Sequence, residues 1–409
     1  TYLNNILYIS YDGLTDPLGS SQVMPYIEGL VAYNYHFTIV SLEKHEAFKA
    51  IEPHIKKRLQ GKPVKWVPLT YKEGRGMKSK LHNNRSLKNT VCEILEKAKF
   101  DLIHARSYPA SLIALKASQK KGIPFIFDMR GFWADERVDG KIWNLKKPFH
   151  KLLYNYFKQK EKLLLKKSRH VISLTQAAKN YMVNHFAKRV NENKITVIPC
   201  CADLDHFNLP KGNEREKSRA KLQIKNSQRV IIYSGSVGTW YLLDEMVAFF
   251  KCFMEKFPDA VFLILTQKDH ALVHDTFIRQ GIHAANYRVA GAIREKVPEF
   301  IHAADASLYF IKPAFSKMAS SPVKLAEFMG CGLPVIANAG IGDVDEHAAE
   351  NNQLILVHEL NRTGYLAAID TILALPKSKE AARNFALTHY SLEMGVERYK
   401  KVYENILGK

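Results

Sequence analysis

A lysine and a glutamate one helical turn apart, Lys324 and Glu327, are the residues of this sequence best placed to do chemistry. They lie in Ser320-Ser321-Pro322-Val323-Lys324-Leu325-Ala326-Glu327-Phe328-Met329-Gly330-Cys331-Gly332-Leu333-Pro334, which runs on into Val335-Ile336-Ala337. The pattern reads as a polar loop, a short helix, a glycine turn and a buried strand. Pro322 suits a first helical turn, where its missing N–H costs nothing. Leu325, Phe328 and Met329 face the core, and Gly332-Leu333-Pro334 ends the helix. A helix start with free N–H groups, an ammonium and a carboxylate can hold both ends of a nucleotide sugar. The amides and Lys324 suit phosphate, and Glu327 suits the two ribose hydroxyls. An ordinary amphipathic helix on a sheet would also account for the apolar positions.

The elements around this segment alternate. In the first half, strands are expected at Ile6–Ile9, Phe37–Ser41, Val64–Leu69, Leu102–His104, Phe125–Asp128, Val171–Leu174 and Thr196–Ile198. After the break Pro199 to Phe207 and the polar run Lys211 to Arg219, they resume at Val230–Ser234, Val261–Thr266, Arg288–Ala290, Ser307–Phe310, Val335–Ala337 and Leu354–Val357. Short apolar strands alternating with amphipathic helices predict an α/β chain built on parallel sheets. Two such halves predict two Rossmann-like domains with a cleft between them, ligands lying beyond the strands' carboxyl ends. The expected division is 1–199, 200–385 and a C-terminal segment 386–409. In that segment Leu392, Val396, Tyr399, Val402, Tyr403 and Leu407 share one helical face.

Other polar clusters follow strands. Gly19 and Ser20 sit in the first strand–loop–helix and read as a glycine before a Ser-capped helix, open to phosphate or sugar. His104 and Arg106 follow one strand. Asp128, Arg130 and Trp133 follow the next, an acid, a base and a tryptophan where an apolar run stops. Asp128 and Arg130 also fit a purely structural ion pair. Gly235, Ser236 and Trp240 follow Tyr233-Ser234, and Lys317 lies in the loop that leads to Lys324.

The Glu327 segment resembles the donor-binding signature of the GT-B glycosyltransferases of family 4, in which a glutamate heads a run like E-A-M-A-C-G-x-P-V-I. The likeness spans nearly the whole chain. Ile198, Pro199, Asp203 and Phe207 match the family's linker. It implies a retaining, metal-independent transfer from a nucleoside diphosphate sugar, UDP-sugar favoured, with no other cofactor and with the C-terminal helix crossing back to the first domain. It places Gly19, Ser20, Gly235, Ser236, Lys317, Ser320, Ser321, Lys324 and Glu327 around the donor, and Val289 and Gly291 near its base. His104, Arg106 and Trp133 fall on the acceptor side. Three departures stand out. Arg130 occupies the place of a common histidine, leaving Asp128 as the expected acceptor-side base. Ser236 and Trp240 fall where relatives place Arg and Lys, so Lys317, Lys324 and Arg130 must balance the diphosphate. Ala319 replaces the first glutamate of E-x7-E.

The chain has 409 residues, 46% of them hydrophobic and 24% charged, which fits two or three soluble domains. The start, Thr1 to Ser10, reads as a strand without the marks of a signal peptide. Five cysteines without C-x-x-C spacing suit a reducing, cytoplasmic setting. Asp203-Leu204-Asp205 and Asp343-Val344-Asp345 spell D-x-D, but in a linker and at a helix start, so no metal is expected. The net charge of +20 calls for an anionic partner. Ten Lys/Arg and one acid occur between Lys141 and His170, interleaved with Trp143, Phe149, Leu152, Tyr156 and Phe157. Such a helix suits either a solvated face or an anionic membrane, here the inner membrane face. A second basic tract, Lys72 to Lys88, reads as a mobile loop. No nucleic-acid recognition motif is present. The expected function is sugar transfer to a lipid-linked or oligosaccharide acceptor in surface polysaccharide synthesis. The alternatives are a nucleotide-sugar epimerase of the same fold and a nucleotide- or polyanion-binding module with a degenerate site.

Overall fold

Every expected strand forms, with ends shifted by a residue or two. The computed structural model describes residues 4–74, 76–188, 190–376 and 378–408. Thr1 to Leu3 of the expected first strand, Arg75 of the second basic tract and Lys409 of the C-terminal segment lie outside these residues.

The first unit comprises the chain up to Pro199 together with the chain from Leu392 on. Its strands are β1 (Asn4–Ser10), β2 (Tyr35–Glu43), β3 (Val64–Thr70), β4 (Leu102–Arg106), β5 (Phe125–Asp128), β6 (His170–Ser173) and β7 (Ile195–Val197). They form one sheet in the order β3-β2-β1-β4-β5-β6-β7 with parallel pairing. The second unit, Cys200–Ser391, holds β8 (Val230–Ser234), β9 (Val261–Leu265), β10 (Tyr287–Ala290), β11 (Ala306–Tyr309), β12 (Val335–Asn338) and β13 (Leu354–Val357). Their order is β10-β9-β8-β11-β12-β13, again parallel. Central strands such as Val261-Phe262-Leu263-Ile264-Leu265 are buried on both faces, as parallel strands covered by helices must be.

The C-terminal helix Leu392–Leu407 belongs to the first unit. Val396, Tyr399, Val402 and Tyr403 are its buried stripe. A Cβ on Gly29 would come within 2.5 Å of Val396, so the glycine lets this helix approach closely. Residues 386–391 stay with the second unit. They complete the helix Lys379–Tyr390, whose Arg383 donates to the Gly330 carbonyl at 2.7 Å.

Two local expectations fail. The tract Lys72 to Lys88 is not a mobile loop from end to end: Met77–Lys97 is a helix of 21 residues. Its buried stripe begins with Ser79 and Asn83 before Leu87, Val91 and Leu95, so the apolar period is masked by polar residues. Those two are used locally. The Asn83 amide accepts from Lys72 N–H at 2.8 Å and donates to its carbonyl at 3.0 Å, and Ser79 Oγ donates to the Gly74 carbonyl. Gly19 does not precede a Ser-capped helix either. It lies inside the helix Pro17–Gln22, whose N-cap is Asp16. A Cβ there would sit 2.0 Å from the Gly13 carbonyl oxygen, so the glycine serves the packing of its own loop.

Candidate functional site

In the second unit the strand order reverses between β8 and β11, which opens a crevice beyond their carboxyl ends. The loop after β8 runs from Gly235 to Tyr241 and is stitched to the segment after β11. Lys312 N–H donates to the Trp240 carbonyl at 2.8 Å, and Leu242 N–H to that of Phe310 at 2.9 Å. Bridges also join Tyr241 to Gly238 and to Ile311. The stitching fixes two aromatic rings, and each carries a lysine from the following segment. Lys317 Nζ lies 3.6 Å from the ring centre of Trp240, and Lys324 Nζ 3.5 Å from that of Tyr241.

Lys324 is on the helix Val323–Gly330, with Pro322 as N-cap rather than in the first turn. Its ammonium is enclosed. Tyr233 of β8 and Tyr309 of β11 place their rings 4.5 and 6.0 Å away, and Nζ donates to the Tyr233 hydroxyl at 3.3 Å. The Tyr233 hydroxyl in turn donates to the Ser236 carbonyl. Gly235 has φ +139°, and a Cβ on it would lie 2.8 Å from Lys324 Nζ, so only glycine leaves room for the ammonium. Burial pushes the Lys324 ammonium down to about 7, against a weaker opposite pull from Glu327. This is a lysine without a carboxylate in hydrogen-bonding contact, held where an anion would restore its charge.

Glu327, one turn on, is mostly buried and accepts from Arg294 Nη1 at 2.9 Å. Arg294 lies over Phe207, 5.1 Å from the ring centre. Neither Arg294 nor the tyrosine enclosure was expected from sequence. Tyr233 lies near the end of β8, and a strand residue two positions before a glycine gives no sign that its ring receives a distant lysine. Ser321 Oγ accepts from Cys200 N–H at 3.1 Å, while Ser320 N–H donates to the Lys317 carbonyl. Ser236 is exposed, Val289 is half-buried in β10, and Gly291 has ordinary surroundings. Ala319 is 3% exposed, so the position of the absent glutamate lies inside the fold. Of the two D-x-D strings, Asp203 accepts from Asp205 and His206 N–H groups, and Asp345 from Gly340 N–H. Among the described residues no group of three or more His, Cys, Asp and Glu is arranged to hold a metal.

The first unit distributes its expected residues differently. Parallel register puts Arg106 of β4 beside Asp128 of β5. His104 and Asp128 do not open to solvent: both are buried beneath the C-terminal helix. Burial lowers the His104 basicity more than Asp128 raises it, so the ring is neutral at pH 7. A neutral ring with one N–H then donates from Nε2 to Asp128 Oδ2 at 3.2 Å and accepts at Nδ1 from the Tyr403 hydroxyl at 2.7 Å. Tyr399 donates to the same Asp128 oxygen at 3.1 Å. Burial alone would raise the Asp128 carboxyl, but Arg130, His104 and Arg106 together hold it at about 2. A closed carboxylate of that acidity is a poor general base near neutral pH, which corrects the role expected for Asp128. It is an anchor for Tyr399 and His104.

Arg130 adopts φ +58°, followed by Gly131 at +124°, and this turn brings its guanidinium 3.7 Å from Asp128 Oδ1. Arg106 is buried, with Nη1 lacking a hydrogen-bond partner. Trp133 is half-buried and braced rather than presented. Its ring lies 4.7 Å from Phe157, 5.6 Å from Trp143 and beneath Arg137 at 4.6 Å. Gly19 is buried and Ser20 half-buried in the short helix described above.

Known proteins share this architecture. Residues 23–206 match the model of Glycosyltransferase Family 4, and residues 214–388 that of Glycosyl transferases group 1. An uncharacterized glycosyltransferase of Methanocaldococcus jannaschii is 21% identical over 267 residues, 63% of this chain and 64% of that protein, less than two thirds of its length. A glycosyltransferase from Rickettsia africae superposes with a TM-score of 0.70 at 16% identity, covering 100% of this chain and 99% of its own. The Anabaena protein HepE, solved in complex with UDP-glucose, gives 0.70 at 15% identity, with 98% and 99% covered. At these identities the structural likeness shows the fold, two Rossmann-like α/β domains of the GT-B kind.

Proposed function

The chain belongs to the glycosyltransferases of the family 4 and group 1 type, and from that premise we propose that it moves a sugar from a nucleoside diphosphate sugar to a hydroxyl acceptor. The observation that carries the proposal is Lys324, enclosed by Tyr233, Tyr241 and Tyr309 beside Gly235, at the strand-order reversal where such sheets take ligands. The diphosphate lies against Lys324, with Lys317 on its Trp240 shelf as the second positive charge. Glu327, steadied by Arg294, accepts from the ribose hydroxyls. The lysines stand in for the Arg and Lys that relatives carry in the loop after the equivalent strand.

In the proposed reaction the acceptor hydroxyl attacks the anomeric carbon on the face from which the nucleotide departs. The carbon–oxygen bond to the phosphate breaks, its electron pair stays with the diphosphate, and the hydroxyl proton passes to that oxygen. Configuration is retained and no protein nucleophile is used. Positive charge fixed where the leaving group becomes negative is the main catalytic contribution of the chain. A UDP-sugar is the favoured donor, in keeping with the UDP-glucose bound by HepE. It carries a hexosyl or N-acetylhexosaminyl group. The acceptor is a lipid-linked glycan or oligosaccharide of surface polysaccharide synthesis, reached at the cytoplasmic membrane face. No described helix is long and apolar enough to cross a membrane.

The test is incubation of the protein with a panel of sugar nucleotides in EDTA, following nucleotide release with and without glycan acceptors. Acceptor-stimulated release from one donor is expected. Formation of an isomeric sugar nucleotide from donor alone would favour the epimerase, and tight binding without any turnover would favour the binding module.

A further inference from the structure

Five large apolar side chains stand exposed within the short stretch Ile142, Leu145, Phe149, Leu152 and Tyr156, Leu152 being 67% and Phe149 53% accessible. Their spacing alternates between three and four. The last three lie on the helix Pro148–Lys167, where that spacing makes one stripe. The other side of this helix is tied down. Leu164, Leu165 and Glu161 are buried. Lys158 bonds Asp135 at 2.7 Å and Glu161 at 2.6 Å, Tyr154 donates to Asp135, and Tyr108 donates to Glu161. Trp133 packs against Trp143 and Phe157 from within. The helix is therefore held by its inner face, and its apolar stripe points to solvent.

Charge identifies what the stripe meets. Residues 141–167 contain nine lysines and a single acid, Glu161, which is fully buried and already paired. Lys141, Lys146, Lys147, Lys151, Lys162, Lys166 and Lys167 are exposed, and Lys160 lies 5.2 Å from the ring centre of Tyr156. The outward surface of the segment is thus apolar residues among cations, with no exposed acid of its own. A second copy laid on this face would set lysines against lysines.

We propose that the outer face of residues 141–167 docks on an anionic lipid bilayer, Phe149, Leu152 and Tyr156 entering the headgroup–acyl boundary while the lysines meet lipid phosphates. The inference deepens the reading of a membrane-borne acceptor, and its test does not depend on turnover. The full chain is floated with vesicles of phosphatidylcholine alone or with an equal share of phosphatidylglycerol, at low and high salt. Flotation is expected only with the anionic vesicles, weakened by salt. The double variant Phe149→Ser/Leu152→Ser should lose about tenfold or more of that binding, since apolar burial supplies part of the attachment. Ile278→Ser, at an exposed position of the second unit, should change nothing. Heparin separates insertion from charge alone: the double variant should still bind heparin. A UDP thermal shift in each variant reports that the protein is folded, and reads the donor site independently of flotation. Absence of flotation, or flotation of the double variant equal to the parent, would overturn the proposal. So would a concentration-dependent dimer that the same substitutions dissolve while vesicle binding is absent.

Discussion

Lys324 concentrates the chemistry of the second unit in one ammonium. Enclosed by three tyrosines and pushed down to about 7 by burial, it takes up its proton readily only below that pH or beside an anion. The sign follows from linkage: an anion prefers the protonated form, so affinity for a nucleoside diphosphate should be full below about 7 and fall as pH rises through it, by up to about tenfold per unit. Calorimetry across that range checks this. Lys324→Arg, which keeps its charge throughout, should flatten the profile. Lys324→Ala should lower turnover by about 10²–10³-fold, the usual loss when one preorganised charge-stabilising donor is removed. Near-normal turnover would remove Lys324 from the mechanism. Glu327→Ala should act on nucleotide affinity instead, and unchanged affinity would discard its ribose role.

Elements decide whether those side chains arrive. The loop Gly235 to Tyr241 is pinned to Phe310, Ile311 and Lys312, and this places both aromatic shelves under their lysines. Gly235→Ala should therefore weaken UDP binding and also lower the melting temperature, because the added methyl meets Lys324 Nζ at 2.8 Å on a backbone at φ +139° that disfavours any side chain. In the first unit the helix Leu392–Leu407 is anchored through Tyr399 and Tyr403 to Asp128 and His104. The Asp128 carboxyl, ordinarily at 3.8, is held at about 2. Its contribution of about 2 kcal/mol is present above the ordinary value and lost as pH falls through the lower one. Asp128→Asn should thus lower the melting temperature at neutral pH and show less loss than the parent on going to acid, as thermal denaturation across pH would record.

At the scale of the whole molecule, strand after strand was legible because buried parallel strands are short apolar runs between turns. The helix carrying Lys324 and Glu327 was legible for a similar reason, its core residues falling at three and four. What stayed hidden has a physical pattern. The helix Met77–Lys97 was masked because Ser79 and Asn83 occupy its buried stripe. The tyrosines around Lys324 come from β8, the following loop and β11, so their convergence depends on strand order. The enclosure of His104 and Asp128 had no local signal, because the helix that covers them, Leu392–Leu407, lies far along the chain. Local periodicity reveals elements, whereas enclosure and pKa come from long-range packing. The central claim, that the second unit takes a nucleoside diphosphate at Lys324, is tested most directly by thermal shift with UDP, GDP, ADP and CDP in EDTA, on the parent and on Lys324→Ala. One nucleoside diphosphate, UDP first among them, should raise the melting temperature of the parent, since a native-state ligand at a hundredfold excess over its Kd adds about 2.7 kcal/mol. The variant should lose most of that shift. No shift with any nucleotide, or an equal shift in the variant, would contradict the claim.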